Sequence, residues 1–358
     1  MAHSWTSTST PGPISSADLD HILQHTPGLW DELRGQHLFI TGGTGFFGTW
    51  LLESLLYANQ KFNLGLHAVV LTRNSAELRK RKPHLFTHSE LKFHEGDIRS
   101  FEFPQGPFSH IIHAATPASA SLNVDHPLLM LDTIVTGTRR VLEFSKHGGA
   151  KRLLFTSSGA VYGKQPSDLT HIPEDYQGSP DPMNPRSAYG EGKHFAEHLC
   201  ALEHAKSGLE IKIARCFAFV GPHLPLDTHF AIGNFIQDGL NGQTIQVGGD
   251  GTPFRSYLYA ADLMIWLWTI LFKGDACRPY NVGSDQAISI GELAKQVAHL
   301  SGVEVKIAKK PAPNQPVERY VPSTKRAFSE LGLKTRIPLK ESLERTLLWH
   351  QYNRSLKE

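Results

Sequence analysis

Thr41-Gly42-Gly43-Thr44-Gly45-Phe46-Phe47-Gly48 follows the apolar run HLFIT at 37–41 and leads into an amphipathic stretch at 47–58. Glycines at 42, 45 and 48 give the spacing GxxGxxG. The first permits a tight turn. The second lets backbone come close to a pyrophosphate, and the third lets the helix pack on the strand. A helix N-terminus placed there offers free N–H groups and partial positive charge to phosphates. Alone, a glycine triplet is a weak signal. Between a strand and a helix, at the start of an alternating pattern, it reads as a dinucleotide loop. Gly42, Thr44, Gly45, Phe46, Phe47 and Gly48 are therefore the first expected coenzyme contacts.

Further along, short apolar runs recur at 66–71 (LHAVVL), 91–94, 110–114 (HIIHA), 152–156 (RLLFT) and 210–214 (EIKIA). Helical stretches separate them, notably 124–147 and 188–204; in the former, Leu128, Leu131, Val135 and Leu142 mark one apolar face. Short apolar strands alternating with helices imply a parallel sheet covered on both faces. Right-handed crossovers then give an α/β doubly wound parallel sheet, a Rossmann fold, with a smaller C-terminal substrate-binding lobe. Residues 1–35 read as a mobile Ser/Thr/Pro-rich tail plus a capping helix near 17–33. The dinucleotide domain is expected at 36–220, with a return segment at about 260–283. The return segment carries a helix at 260–272 and a strand at 279–282, and the lobe takes 221–259 and 284–358, with a stretch rich in Gly, Pro, Asp and Asn at 221–257 and a helix at 290–301.

The chain has 358 residues, 40% hydrophobic and 20% charged, so it is neither disordered nor repetitive, and it is longer than one hydrophobic core usually grows. Its 36 basic and 34 acidic residues nearly cancel, which gives no reason to expect nucleic acid or an anionic membrane as partner. Cys200, Cys216 and Cys277 are scattered, so neither a disulfide framework nor a CxxC metal site is expected, and no metal is assigned. A reducing, cytoplasmic compartment fits this usage. No apolar signal segment opens the chain, and 263–272 is too short for a membrane span.

The second strand ends at Thr72-Arg73, where a NAD site usually carries an acid for the ribose 2′-hydroxyl. A guanidinium there suits a 2′-phosphate, so NAD and NADP both remain open. Asp97 and Ile98 are placed for an adenine contact, and Ala114-Ala115-Thr116 offers small residues where a coenzyme must pass close to backbone.

Tyr189-Gly190-Glu191-Gly192-Lys193 is a YxxxK pair, whose i and i+4 side chains share one helix face. A phenol titrates near 10, and bringing it to neutrality requires about 4 kcal/mol of differential stabilisation. The Lys193 ammonium is expected to supply it, making Tyr189 an acid/base beside the nicotinamide. Thr156-Ser157-Ser158-Gly159 follows the fifth strand, so a Ser158 hydroxyl can bind the same substrate oxygen.

From 37 to 333 the chain resembles the extended short-chain dehydrogenase/reductases, the NAD-dependent epimerase/dehydratase family acting on nucleotide sugars. TGGTGFFG is similar to its coenzyme loop, TSSGAVYG to its serine strand and YGEGK to its catalytic pair. RCFAFVGP at 215–222 resembles RxFNxYGP, and GGDGTPFRSYLYAAD at 248–262 resembles GDGxxxRxFxYVxD. The resemblance implies Ser158, Tyr189 and Lys193 as catalytic residues, with Tyr189 and Lys193 also touching coenzyme. It implies Ser119, Ser158, Asn234, Phe235, Val247, Arg255 and Arg319 as substrate contacts, and a homodimer formed through the helices at 124–147 and 188–204. Guanidinium forks at Arg255 and Arg319 suit a diphosphate.

Within that family, SAYGEGKHFAE, GLEIKIARCF and NFIQDGLNGQTIQVGGDG are similar to UDP-glucuronate decarboxylases. Those enzymes place Glu two residues after the catalytic hydroxyl, and 4,6-dehydratases place Asp-Glu directly after it. Here Gly159 and Ala160 stand at those positions, and Ala218 replaces the asparagine of RxFN. The first expectation is a nucleotide-sugar epimerase passing through a 4-keto sugar. A 4,6-dehydratase or decarboxylase borrowing Glu174, Asp175 or Glu191 is the runner-up. An NADPH-dependent ketoreductase is third and a non-catalytic coenzyme sensor fourth.

Overall fold

The computed structural model describes residues 12–116, 120–226, 230–312 and 316–355. Ser119 and the tail at 1–11 lie outside them. Seven parallel strands form the main sheet: β1 His37–Thr41, β2 His67–Thr72, β3 Leu91–Glu95, β4 His110–His113, β5 Arg152–Ser158, β6 Glu210–Cys216 and β11 Pro279–Val282. Their spatial order is β3-β2-β1-β4-β5-β6-β11. The order reverses between β1 and β4, which opens the crevice where such sheets bind ligands.

β1 shows how both faces are covered. Leu38 and Ile40 face a core that includes Trp50 and Leu55 of α2 (Phe46–Phe62) and Trp266 of α8 (Ala260–Lys273). Phe39 faces the opposite core, with Ile134 of α5 (Pro127–His147) and Ala196 of α6 (Ala188–Ser207). This is the period of two in a strand buried on both sides. From Ala260 to Phe272, α8 is buried all round, which explains its continuous apolar sequence.

The expected helix at 124–147 is two helices, α4 Ala120–Asp125 and α5, separated at His126. Pro127 opens α5 at its first position, because it lacks an N–H and pushes the preceding residue out of helical conformation. The expected apolar face holds only in part: Leu142 is buried together with Met130, Ile134, Val141 and Phe144, whereas Leu128 is 80% exposed. The helix carries two apolar stripes, and only one meets the sheet. Near 17–33, α1 (Ser16–Gln24) ends early and is followed by a 3-10 turn, Trp30–Leu33.

The lobe has its own core of Val220, Phe235, Val247, Leu293 and Leu347. Three small sheets build it. β7 (Phe219–Val220) pairs β10 (Leu258–Tyr259), and β8 (Ile245–Val247) pairs β13 (Val305–Ile307). β9 (Phe254–Arg255) lies between β12 (Ile288–Ser289) and β14 (Arg319–Tyr320). α7 (Ala231–Leu240), α9 (Ile290–Ser301) and the C-terminal α11 (Leu339–Ser355) pack around them.

Candidate active site

Close packing shapes the glycine loop. Gly42 has φ +75°, and a Cβ there would lie 2.5 Å from the Ala114 carbonyl and 2.6 Å from Ala115 N. A Cβ on Gly48 would lie 2.2 Å from Gly42 O, so α2 starts directly against the loop. Gly45 is different: it caps α2 without any side-chain hydrogen bond, and the nearest atom to its added Cβ is 3.7 Å away. The first-turn N–H groups of α2 therefore have no side-chain cap, and an exposed Gly45 stands before them. That arrangement fits a pyrophosphate.

At the end of β2, Thr72 is buried and Arg73 exposed, and the Arg73 charge acts on Asp97. Asp97 is not free. Arg99 grips its carboxylate at 2.8 and 2.9 Å and holds it down to about 2. Ile98 packs against α5 at Gly137, and Ala115 N donates to Thr41 Oγ1 at 3.2 Å.

β5 extends to Ser158, whose Oγ accepts Ala160 N–H at 3.1 Å and starts a 3-10 turn over Gly159–Tyr162. α6 begins with an N-cap, Ser187, whose side chain makes no capping bond. Asn123 substitutes, accepting Tyr189 N–H at 3.0 Å and donating to Arg186 O at 2.8 Å. The glycines of YGEGK let α6 sit close to its neighbours. A Cβ on Gly190 would lie 2.9 Å from Ala160 O, and one on Gly192 would lie 3.2 Å from Ile134 Cδ1. Each mid-helix glycine costs about 1 kcal/mol relative to alanine, so close approach is the compensating gain.

Lys193 is buried at 2% exposure, and its Nζ donates to Thr116 Oγ1 and Thr156 O, both at 2.7 Å. Burial pulls this ammonium down to about 8. Burial pushes the Tyr189 phenol above its ordinary value, and hydrogen bonding with Ser158 opposes that push. Two of the three N–H donors of Lys193 are thus engaged by Thr116 and Thr156. Sequence reasoning missed Tyr320, whose hydroxyl lies beside Gly159, and Phe217, whose ring lies 4.7 Å from that of Tyr320. Arg319 of the same two-residue strand was singled out, but nothing in the sequence extends that signal to Tyr320.

The expected substrate contacts divide. Phe235 and Val247 are each 3% exposed, so their side chains belong to the lobe core. Asn234 is exposed on α7. Arg255 pairs with Glu318 and donates to Phe254 O at 2.9 Å. Arg319 stacks over the Phe254 ring at 4.5 Å and has no acidic partner among the described residues.

A sequence model of the NAD dependent epimerase/dehydratase family matches residues 38–283. The chain belongs to this family. UDP-glucuronic acid decarboxylase 6 of Arabidopsis thaliana is 31% identical over 341 residues, covering 94% of this chain and 93% of the relative. UDP-glucuronic acid decarboxylase 1 of Xenopus tropicalis is 30% identical, covering 91% and 74%. Among solved structures, the dTDP-glucose 4,6-dehydratase of Streptomyces venezuelae with NAD bound superposes with a TM-score of 0.75 at 24% identity, covering 90% of this chain and 99% of that one. The UDP-glucose 4-epimerase of Thermotoga maritima with UDP-glucose gives 0.73 at 22%, covering 89% and 99%. At these identities, the two superpositions establish the shared fold.

The family's coenzyme is NAD, and the open α2 N-terminus beside Gly42–Gly45 suits it. The acids considered as borrowed catalysts in this family member are otherwise engaged or remote. Glu174 is buried, accepts Asn281 N–H at 3.0 Å and lies 3.9 Å from Arg326. Asp175 is exposed, and Glu191 is half-buried in the first turn of α6. None of the three bonds to Ser158, Tyr189 or Lys193 among the described residues. Glu197, which the sequence did not single out, is structural. It accepts Ser157 Oγ at 2.5 Å and pairs with Arg215 at 2.7 Å, tying α6 to β5 and β6.

Proposed function

We propose that this chain is a nucleotide-sugar epimerase that works through transient oxidation to a 4-keto sugar, with Tyr189 as its acid/base. One observation carries the reading. The two positions where decarboxylases and dehydratases put carboxylates hold none here, Gly159 and Ala160 standing in their place. A Cβ at Gly159 would lie 2.7 Å from both the Phe217 ring and the Tyr320 hydroxyl, and Ala160 follows. Eliminating water across C5 and C6 needs a base and an acid that this turn does not supply. Epimerisation needs only proton exchange at one oxygen and room for the ketone to turn.

When bound, NAD accepts and returns hydride at the sugar carbon. Tyr189 takes the proton of the C4 hydroxyl and later gives it back. Ser158 orients that oxygen. Lys193 holds Thr116 against the end of β5 through its two hydrogen bonds. Arg319 offers its guanidinium to the diphosphate.

A UDP-glucuronate decarboxylase is the second reading, favoured by 31% identity across nearly the whole of a relative so named. Mass spectrometry of a nucleotide-sugar panel separates the two. Unchanged mass with inverted stereochemistry is the expected result; loss of carbon dioxide or water overturns it. Stoichiometric NADPH consumption would instead support a reductase, the role to which an exposed Arg73 is suited. The coenzyme released on denaturation is expected to be NAD.

The proposal includes a cytoplasmic homodimer. Leu128 on α5 and Phe195 and Leu202 on α6 are 80%, 50% and 55% exposed on two helices that pack together. Sedimentation is expected to show a dimer, and Leu128→Asp is expected to shift it to monomer. A monomeric wild-type protein rejects this assembly.

A further inference from the structure

The basic run Arg79–Lys82 does not end in solvent. Arg79, Lys80 and Arg81 are exposed, but Lys82 is only 7% exposed. It follows α3 (Ser75–Arg81), and Pro83 after it disfavours helical conformation, so the chain turns at Lys82 with φ −142° and ψ 62°. Lysine is almost never fully buried unless paired. Lys82 nevertheless makes no ion pair among the described residues; its bond is to a hydroxyl of α2. Glu53, also on α2, acts on the Lys82 charge but is bound elsewhere: it accepts Ile14 N–H at 2.7 Å and lies 3.2 Å from His84 Nε2. A buried ammonium without a carboxylate beside it is costly, and its place in the fold shows what it serves.

Lys82 Nζ donates to Thr49 Oγ1. A hydroxyl has one proton and two lone pairs. Accepting from Lys82 leaves the Thr49 proton for Gly45 O, which it reaches at 2.8 Å. Gly45 O also accepts Thr49 N–H at 3.0 Å. The donors thus run from Lys82 to Thr49 to Gly45, and linked hydrogen bonds of this kind strengthen one another.

This chain of bonds holds a peptide plane. Gly45 joins Phe46 through a trans peptide, in which the carbonyl and the N–H point opposite ways. Drawing Gly45 O back along α2 therefore turns Phe46 N–H, the first of the helix, out of the helix end. That end has no side-chain cap, and the space around Gly45 is open. We propose that Lys82 is a positioning residue for the coenzyme pyrophosphate, fixing the Gly45–Phe46 peptide through Thr49 so that the N–H groups opening α2 face the phosphates. The inference rests on the glycine loop being the pyrophosphate cradle.

The test is calorimetric titration of NAD into coenzyme-free protein, with melting temperatures measured alongside. Lys82→Met keeps the length of the side chain and removes the donor, and is expected to raise Kd about tenfold. Thr49→Val keeps the shape, removes the hydroxyl and should do the same. Thr49→Ser restores the hydroxyl and should bind as the wild-type protein does. The double variant of Lys82→Met and Thr49→Val should lose about tenfold rather than about a hundredfold, since both act through one chain of bonds. Coenzyme-free Lys82→Met is expected to melt no lower than wild type, because a buried methionine carries no desolvation cost; a lysine that served only the fold would lower the melting temperature when removed. Unchanged affinity in both Lys82→Met and Thr49→Val, with Gly45→Ala binding NAD more weakly, overturns the role of Lys82 alone. A loss of about a hundredfold in the double variant overturns its action through Thr49. Unchanged affinity in Gly45→Ala overturns the cradle reading instead.

Discussion

Tyr189→Phe lowers kcat by about 10² to 10⁴-fold, the range expected when a positioned acid/base is removed, while KM changes little. The substitution deletes one oxygen. The ring keeps its place against the core under α5 and α6, and the helix start remains held by Asn123, whose bond is to the Tyr189 backbone rather than its side chain. Stability is therefore expected to stay within about 1 kcal/mol of wild type, the net contribution of one hydrogen bond. Coenzyme content should also be unchanged, since the glycine loop is untouched. The measurement is steady-state kinetics on whichever nucleotide sugar the product panel identifies, with released coenzyme quantified in parallel. Retained turnover would remove Tyr189 from the mechanism and leave only the architecture.

Gly42→Ala is expected to strip the protein of its coenzyme and to destabilise it by about 2–4 kcal/mol. Two costs add. A left-handed φ of +75° penalises alanine by about 1–2 kcal/mol. The new methyl group also meets the Ala114 carbonyl at 2.5 Å, and since a Cβ has no rotamer and its neighbour is backbone, no side-chain movement relieves it. Either the loop opens or the end of β4 moves, and both disturb the pyrophosphate cradle. Gly45→Ala is the control. Its Cβ has nothing closer than 3.7 Å within the protein, so the fold should be indifferent. Yet that open space is where the phosphates would sit, so coenzyme affinity should fall while thermal unfolding stays put. Coenzyme assay of the purified variants, together with their melting temperatures, checks both. Full coenzyme occupancy in Gly42→Ala would show that the loop is not the cradle.

Much of the sheet could be read along the chain. Strands at 37–41 and 279–282 have the bounds that their apolar runs suggest, because a strand covered on both faces is a continuous apolar segment between turn residues. The break before α5 was equally local, since Pro127 carries it, but the helical periodicity running from 124 masked it. The choice of buried face on α5 was not local. Leu128 and Ile134 are both apolar, and only the position of the sheet makes one solvent-facing and the other core.

By itself, the chain's order of residues determined the doubly wound sheet, the glycine loop and the i, i+4 spacing of Tyr189 and Lys193 on α6. Each depends on neighbours within a turn or a strand, where spacing translates directly into geometry. Tertiary structure alone decided what surrounds the Tyr189 hydroxyl. It sent Lys193 to Thr116 and Thr156, and it brought Tyr320 from the far lobe to Gly159. It also closed the space beside Gly159 with Phe217. Such contacts join residues far apart in the chain, and packing between separate layers has no periodicity that a sequence can display.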